Sequence, residues 1–118
     1  MNLTIKRIYS TPSDDDGARI LVDRIWPRGI SKEKAGLALW LKDIAPSDEL
    51  RRWFDHDVEK WAEFRQRYRE ELEHNTRAVR EFFEAVKGSD KVTLLYGAHD
   101  EEHNQAVVLR DYLQEKKR

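Results

Sequence analysis

The chain has 118 residues, of which 38% are charged and 39% are hydrophobic. This length predicts a single domain over residues 1–118. The sequence has four Trp, four Tyr and four Phe, which are enough to anchor one core. The 22 basic and 23 acidic side chains leave a formal charge of −1. This balance excludes a basic DNA-wrapping protein, disfavours nucleic acid as a partner and provides no attraction to a membrane surface.

Cysteine is absent from the sequence. Disulfide bonds, thiolate catalysis and cysteine-based zinc sites are therefore excluded. Residues 1–7 lack the apolar segment of a signal peptide, and no apolar run approaches the ~20 residues that span a bilayer. The sequence therefore predicts a cytoplasmic protein with no membrane partner.

Two short strands are predicted near the start of the chain. Residues 4–9 alternate between apolar and polar side chains, and residues 19–26 contain a dense apolar run. The acidic turn at residues 14–17 separates them. Only about ten residues lie between the two strands, whereas a parallel crossover usually needs a dozen or more. Their relative direction, parallel or antiparallel, is therefore left open.

Two helices and a third strand are predicted next, the helices from serine caps and the strand from a weak alternation of apolar and polar residues. Ser31 is placed to cap a short helix that Gly36 ends. Residues 37–44 alternate weakly, which predicts a third strand. Ser47 then caps a helix over residues 48–54, whose first turn is acidic, as the helix dipole favours.

The second half of the chain is predicted to hold three helices and one strand. From Val58 the apolar residues recur every three or four positions, typical of a core-facing helix: Trp61, Phe64, Tyr68 and Leu72. Another helix begins near Thr76 and ends at Gly88. Residues 92–96 form the clearest strand, and Asp100 is placed to cap the last helix. Strands that alternate with helices predict an α/β domain with a small, mainly parallel sheet.

Unusual polar residues follow the predicted strands. In a parallel α/β sheet, ligands bind beyond the carboxyl ends of the strands. Acids, arginines and histidines would converge at that edge, which predicts a functional site there. The candidate residues are Asp23, Arg24, Arg28, Gly29, Asp43, Tyr96, His103 and Asn104.

The pair Asp23-Arg24 ends a buried apolar run, where an unpaired charge costs several kcal/mol. One interpretation is a structural ion pair that holds the following loop. In the other, Arg24 and Arg28 form a fork for an anionic group, since guanidinium matches phosphate and carboxylate geometry. Gly29 would then let the backbone approach the ligand.

His103 is the main candidate for proton transfer. A helix N-terminus favours the neutral imidazole, although a helix-end hydrogen bond is an equally simple role. Asn104 would orient a substrate carbonyl or amide, or else cap the helix. His56 lies at a break between helices and becomes a second acid–base candidate if that break leans over the strand ends.

No metal and no cofactor are predicted. His99 and His103 have helical spacing, but the intervening residues do not form the His-Glu-x-x-His zinc motif. The acidic turn at 14–17 lacks the spacing of a calcium loop. No glycine-rich phosphate loop and no Gly-x-Ser-x-Gly elbow is present.

Four segments carry a resemblance to a known family. They are residues 22–32 (VDRIWPRGISK), 40–47 (WLKDIAPS), 92–96 (VTLLY) and 103–106 (HNQA). Together they resemble the YeaO-like family, small uncharacterised bacterial proteins within a larger domain-of-unknown-function family. The resemblance implies a small Rossmann-like, three-layer α/β fold with three to four strands, the first two of them parallel.

The resemblance carries no established activity. Longer relatives are similar at Asp23-Arg24 and Pro27 and hold a Cys-His-Arg motif near the last strand. Of that motif only the histidine matches, as His103, with Glu102 and Asn104 beside it. The match therefore implies no thiol chemistry in this chain.

Two hypotheses for function follow. In the first, an anion-binding cleft at the strand ends takes a phosphorylated or nucleotide-like metabolite, and whether the protein is an enzyme is left open. Arg24 and Arg28 would hold the anion, Asp23 and Asp43 would orient it or act as base, and His103 would transfer a proton. This hypothesis predicts a concave pocket at which Asp23, Arg24 and His103 meet.

In the second hypothesis the chain is a non-catalytic module that binds a protein or nucleic-acid partner. It predicts a flat surface with Trp26 or Trp53 exposed, because aromatic residues are enriched at binding hot spots.

Overall fold

A four-stranded parallel sheet forms the centre of the computed structural model, which describes residues 1–116. The strands are β1 (Asn2–Arg7), β2 (Ala18–Leu21), β3 (Leu39–Trp40) and β4 (Lys91–Tyr96). Their order in the sheet is β1-β4-β2-β3, and every pair is parallel. The predicted α/β class, with a small Rossmann-like parallel sheet, is confirmed.

The first two strands are not neighbours in the sheet. β4 lies between them, with Leu3 opposite Val92 on one side and Ile20 opposite Leu94 on the other. The direction that the short connection left open is therefore parallel. Residues 8–17 contain a 3-10 turn at Asp14–Asp16 but need no α-helix. Ten extended residues would reach about 33 Å, whereas a six-residue strand is only about 20 Å long.

Five helices complete the fold of residues 1–116: α1 (Lys32–Ala35), α2 (Asp48–Phe54), α3 (Trp61–His74), α4 (Thr76–Ala85) and α5 (Gln105–Lys116). Both predicted serine caps are confirmed. Ser31 Oγ accepts a hydrogen bond from the Lys34 amide, and Ser47 Oγ accepts one from the Leu50 amide, each at 3.1 Å. No helix within these residues is long and apolar enough to cross a bilayer.

The third strand is much shorter than its prediction over residues 37–44. Only Leu39–Trp40 pairs with β2, and a 3-10 turn follows at Lys42–Ile44. The buried side chains Leu41 and Ile44 are three positions apart, which is a helical rather than a strand spacing. The chain therefore turns into the core and leaves the sheet.

The predicted cap of the last helix is also wrong. α5 begins at Gln105, and Asn104 Oδ1 accepts from the amides of Ala106 (2.9 Å) and Val107 (3.2 Å). The Asp100 carboxylate instead accepts from the amides of Glu102 and His103 and closes a turn before the helix. Both residues have cap chemistry, and the later one, directly before Gln105, caps α5.

The main core lies between the sheet and the long helices. The predicted aromatic stripe of α3 is confirmed, since Phe64 and Tyr68 are buried. The opposite face of the sheet has a smaller apolar cluster, which Trp26 and Trp40 help to cover. The carboxyl ends of β2 and β4 thus lie side by side between two covered faces.

Candidate functional site

A cavity of about 500 Å³ opens at the carboxyl edge of the sheet. We call it the cleft. Its walls are formed by the segments after β2 and β4, by α2 and the turn that follows it, and by the start of α5. Its floor is apolar and includes Phe54 and Phe64, whose rings stack at 4.2 Å. Its ionisable side chains are Asp23, Arg24, Arg51, His56, His99, Asp100 and His103.

Asp23 joins three parts of the cleft. Its Oδ2 accepts a hydrogen bond from the Gly97 amide at 2.9 Å, and its Oδ1 accepts one from Gln105 Nε2. Burial raises the pKa of this carboxyl to about 6, although both hydrogen bonds act in the opposite direction. The carboxylate therefore ties the end of β2 to the loop after β4 and to the first residue of α5.

Arg24, the next residue, takes no part in this network. Its Nε donates to the Pro46 carbonyl (3.1 Å) and its Nη2 to the Ala45 carbonyl (3.0 Å). Its carboxylate partner within residues 1–116 is Asp48, at 4.0 Å, and not Asp23. The structural ion pair between neighbours is therefore absent from the described part of the chain, and Arg24 holds the loop before α2.

His103 is oriented by Asp100. Its Nδ1 lies 2.9 Å from Asp100 Oδ2, while its ring packs edge-on against Trp61 at 5.3 Å between centroids. Hydrogen bonds from the amides of Glu102 and His103 lower the pKa of Asp100. Because Nδ1 faces this carboxylate, Nε2 is the ring nitrogen left for a ligand.

Asn104 and Tyr96 have mainly structural positions. Asn104 lines the cleft but is only 2% exposed, and its side chain caps α5 and donates to the Asp100 carbonyl. Tyr96 is 1% exposed and belongs to the main core, where burial raises the pKa of its phenol. Of the two, only Asn104 contributes surface to the cleft.

Arg28, Gly29 and Asp43 do not line the cleft. Arg28 and Gly29 are exposed, in the loop that passes over the other face of the sheet, and the Arg28 carbonyl accepts from Tyr9 Oη at 2.8 Å. Asp43 is exposed on the 3-10 turn, where its carbonyl accepts from Asn75 Nδ2. The structure thus brings Arg24 to the cleft and leaves Arg28 outside it.

Three further residues lie on the cleft wall. His56 lines it from the turn after α2, in a left-handed backbone conformation (φ 57°), so the break between helices does lean over the strand ends. Arg51 and Gln105 were not among the sequence candidates. Their positions in the sequence could have indicated both residues. Gln105 directly follows the candidate Asn104, and Arg51 lies one turn into the helix that Ser47 caps.

The two tryptophans of the partner-binding hypothesis are half-buried. Trp26 packs edge-on against Trp40 and donates to the Ile30 carbonyl at 2.7 Å. The Trp53 ring is covered by the cations of Lys60 and Arg67. Neither ring presents the exposed aromatic surface that this hypothesis requires.

Neither a metal site nor a second ligand site is evident in the described part of the chain. Residues 1–116 contain no cluster of three or more His, Asp or Glu placed to hold a metal ion. His99 and His103 do not share a helix, because α5 begins only at Gln105. A wider hollow of about 800 Å³ lies between α2 and α3, but the Glu71 carboxylate there already accepts from the Ser47 amide and hydroxyl.

Comparison with known proteins identifies the family. Residues 2–118 match the family described as the inactive DUF488-N3 subclade. The chain belongs to this subclade, DUF488-N3i. The expected YeaO-like membership is therefore confirmed, and the description of the subclade as inactive names no reaction.

The DUF488-N3i chain is similar to uncharacterised proteins along nearly its whole length. It is 42% identical over 113 residues to the uncharacterized protein YeaO of Escherichia coli strain K12, covering 96% of this chain and 97% of YeaO. It is 41% identical over 109 residues to the uncharacterized protein Rv3073c of Mycobacterium tuberculosis strain H37Rv, covering 92% and 91% respectively. No solved structure matches it.

Proposed function

We propose that this DUF488-N3i protein binds a small anionic metabolite, phosphorylated or nucleotide-like, in the cleft. The observation that carries the proposal is the meeting of two arginines and three histidines at one cavity: Arg24, Arg51, His56, His99 and His103. A volume of about 500 Å³ suits a metabolite-sized ligand, and an apolar floor with a few polar groups is typical of such sites.

The two arginines would act differently. Arg24 donates one bond each from Nε and Nη2 to backbone carbonyls, so both N–H groups of Nη1 and the second N–H of Nη2 are left for a ligand. Arg51 is 45% exposed and pairs only loosely with Asp48, at 3.4 Å. Its guanidinium can therefore leave that carboxylate for an anion at little cost, since exposed ion pairs contribute about 0–1 kcal/mol.

The family description supports binding without turnover, because the subclade is described as inactive. The polar atoms of Asp23 also support it. Both carboxylate oxygens already accept hydrogen bonds that hold neighbouring segments together. This favours a structural and binding role for Asp23 over that of a general base.

The test is a thermal-shift and calorimetric screen with inorganic phosphate, pyrophosphate, sulfate, sugar phosphates and nucleotides. A ligand at about 100 times its Kd should stabilise the protein by about 2.7 kcal/mol, which raises Tm by roughly 10 °C. Arg51→Ala should weaken the binding about tenfold, because a hydrogen bond to a charged group contributes about 1.5–3 kcal/mol.

The matched control is Arg52→Ala. Arg52 is the next residue of α2, is exposed and does not line the cleft, so it removes the same charge without touching the site. Its affinity should equal that of the wild type. If no anion raises Tm, or if both variants lose affinity equally, the proposal is wrong.

A catalytic function is the second candidate, and the contact that favours it is Asp100–His103 at 2.9 Å. An imidazole held by a carboxylate is suited to transfer a proton through Nε2. Phosphorus NMR of the bound ligand distinguishes the two candidates. A new resonance that His103→Gln abolishes would establish turnover, and an unchanged spectrum would establish binding alone.

A further inference from the structure

The cleft is not uniformly cationic, because two carboxylates also line it. The Asp100 carboxylate is already engaged by the amides of Glu102 and His103 and by His103 Nδ1, whereas that of Asp23 lies at the sheet end. Asp23 lines the cavity that Arg24, Arg51 and the histidines also line. A phosphate beside this carboxylate would be repelled, so the anionic end of a ligand belongs with the cations on the α2 side. The group that meets Asp23 must have a different chemistry.

Asp23 keeps hydrogen-bonding capacity after its internal contacts are made. An ionised carboxylate offers about four acceptor positions. The Gly97 amide uses one on Oδ2 and Gln105 Nε2 uses one on Oδ1. Each oxygen can therefore accept one further bond from a donor in the cleft.

We propose that the ligand of the cleft is bifunctional, with an anionic group for the arginines and a hydroxyl or amine donor for Asp23. The inference rests on the proposed function, since it names the class of anion that the same cleft takes. Phosphate esters of polyols and of amino alcohols have this chemistry. A simple alkyl phosphate or inorganic phosphate lacks it.

The experiment compares three phosphate esters of similar size by NMR titration or calorimetry at about pH 8, where Asp23 is ionised. Glycerol 3-phosphate carries hydroxyl donors, 3-aminopropyl phosphate carries an ammonium group, and propyl phosphate carries no donor on its carbon chain. One or both of the first two should bind about tenfold more tightly than propyl phosphate. The ester that binds more tightly identifies whether the group on Asp23 is a hydroxyl or an ammonium.

Asp23→Asn is the test variant. Its Oδ1 can still accept from the Gly97 amide, and a flipped Gln105 amide can accept from its Nδ2, so the internal bonds can be kept. The preference over propyl phosphate should fall to about twofold, since a neutral acceptor forms weaker bonds. Asp43→Asn, at an exposed carboxylate outside the cleft, should keep the full preference.

Two results would overturn the inference while leaving the proposed function intact. One is equal affinity of the wild type for the three esters, with Arg51→Ala still weakening all of them. The other is a preference that persists unchanged in Asp23→Asn. If none of the esters binds, the inference is wrong; if no anion of the first screen binds either, the proposed function fails with it.

Discussion

Asp23 shows at the scale of one residue how burial and hydrogen bonding compete. The carboxylate is desolvated at the end of β2, and two donors only partly offset that cost. The result is a group that loses its proton near pH 6, within the range where a cell operates. The residue that joins three segments is therefore also a source of instability at neutral pH.

The first prediction concerns stability against pH. Because the pKa of Asp23 is about 6 in the folded state and 3.8 without burial, the folded state holds the proton more tightly. Stability should therefore fall by about 2 kcal/mol as pH rises from about 4 to about 7. Asp23→Asn should remove this fall, as measured by urea unfolding of both proteins at each pH.

The comparison of the two profiles cancels the titrations that both proteins share. His103 and the other histidines are present in both, as is Arg24. Asp16 and Asp100 have lowered pKa values and act below about pH 4. Parallel profiles for the wild type and Asp23→Asn would show that burial of this carboxyl does not govern the pH dependence.

The second prediction concerns Gly17, which closes the acidic turn before β2. Its φ of 65° favours glycine, and a Cβ there would lie 2.2 Å from the Lys91 carbonyl oxygen. Gly17→Ala should destabilise the protein by about 3 kcal/mol or more, because backbone strain and a backbone clash add. Gly29→Ala has a similar φ (80°) with no atom within 4 Å, so thermal unfolding should show a loss of about 1 kcal/mol.

At the scale of elements, the start of α5 depends on one side chain. Asn104 caps the helix and is buried, whereas Asn75, before α4, makes no capping hydrogen bond with its side chain. Asn104→Ala should therefore cost about 1–2 kcal/mol and Asn75→Ala much less. Denaturant unfolding measures both, and equal losses would contradict the assignment of the cap to Asn104.

Elements were predicted well where their signals are local. The short helix after Ser31 and the helix after Ser47 follow from caps and first-turn charges within a few residues. The third strand was predicted too long, because Leu41 and Ile44 are buried by α3 and α4, which lie far along the chain. A weak alternation cannot reveal which distant helix will cover a side chain.

For the molecule as a whole, the cleft is assembled from three segments distant in sequence, residues 23–25, 45–56 and 97–105, together with Phe64 of α3. The stacked rings of Phe54 and Phe64 hold α2 against α3 and thereby bring Arg51 and His56 over the strand ends. The shape of the site is thus a consequence of core packing.

The fourth prediction follows from this assembly. An anion that stabilises the protein should slow amide hydrogen exchange in the three cleft segments, because binding suppresses local opening there. Exchange in residues 27–30, which carry Arg28, should not change. Exchange mass spectrometry with and without inorganic phosphate measures both. Protection at residues 27–30 without protection at 97–105 would instead support an anion site around Arg28.

Sequence patterns alone predicted the α/β class, most helices with their caps, the aromatic stripe of α3 and the gathering of charged residues at strand ends. These features depend on residues near one another in the chain. The folded structure was needed to show that β4 lies between β1 and β2, that Gln105 donates to Asp23, and that Arg51 rather than Arg28 lines the cleft. Those contacts join residues far apart in sequence, where packing of the whole core selects the partner and no local pattern records it.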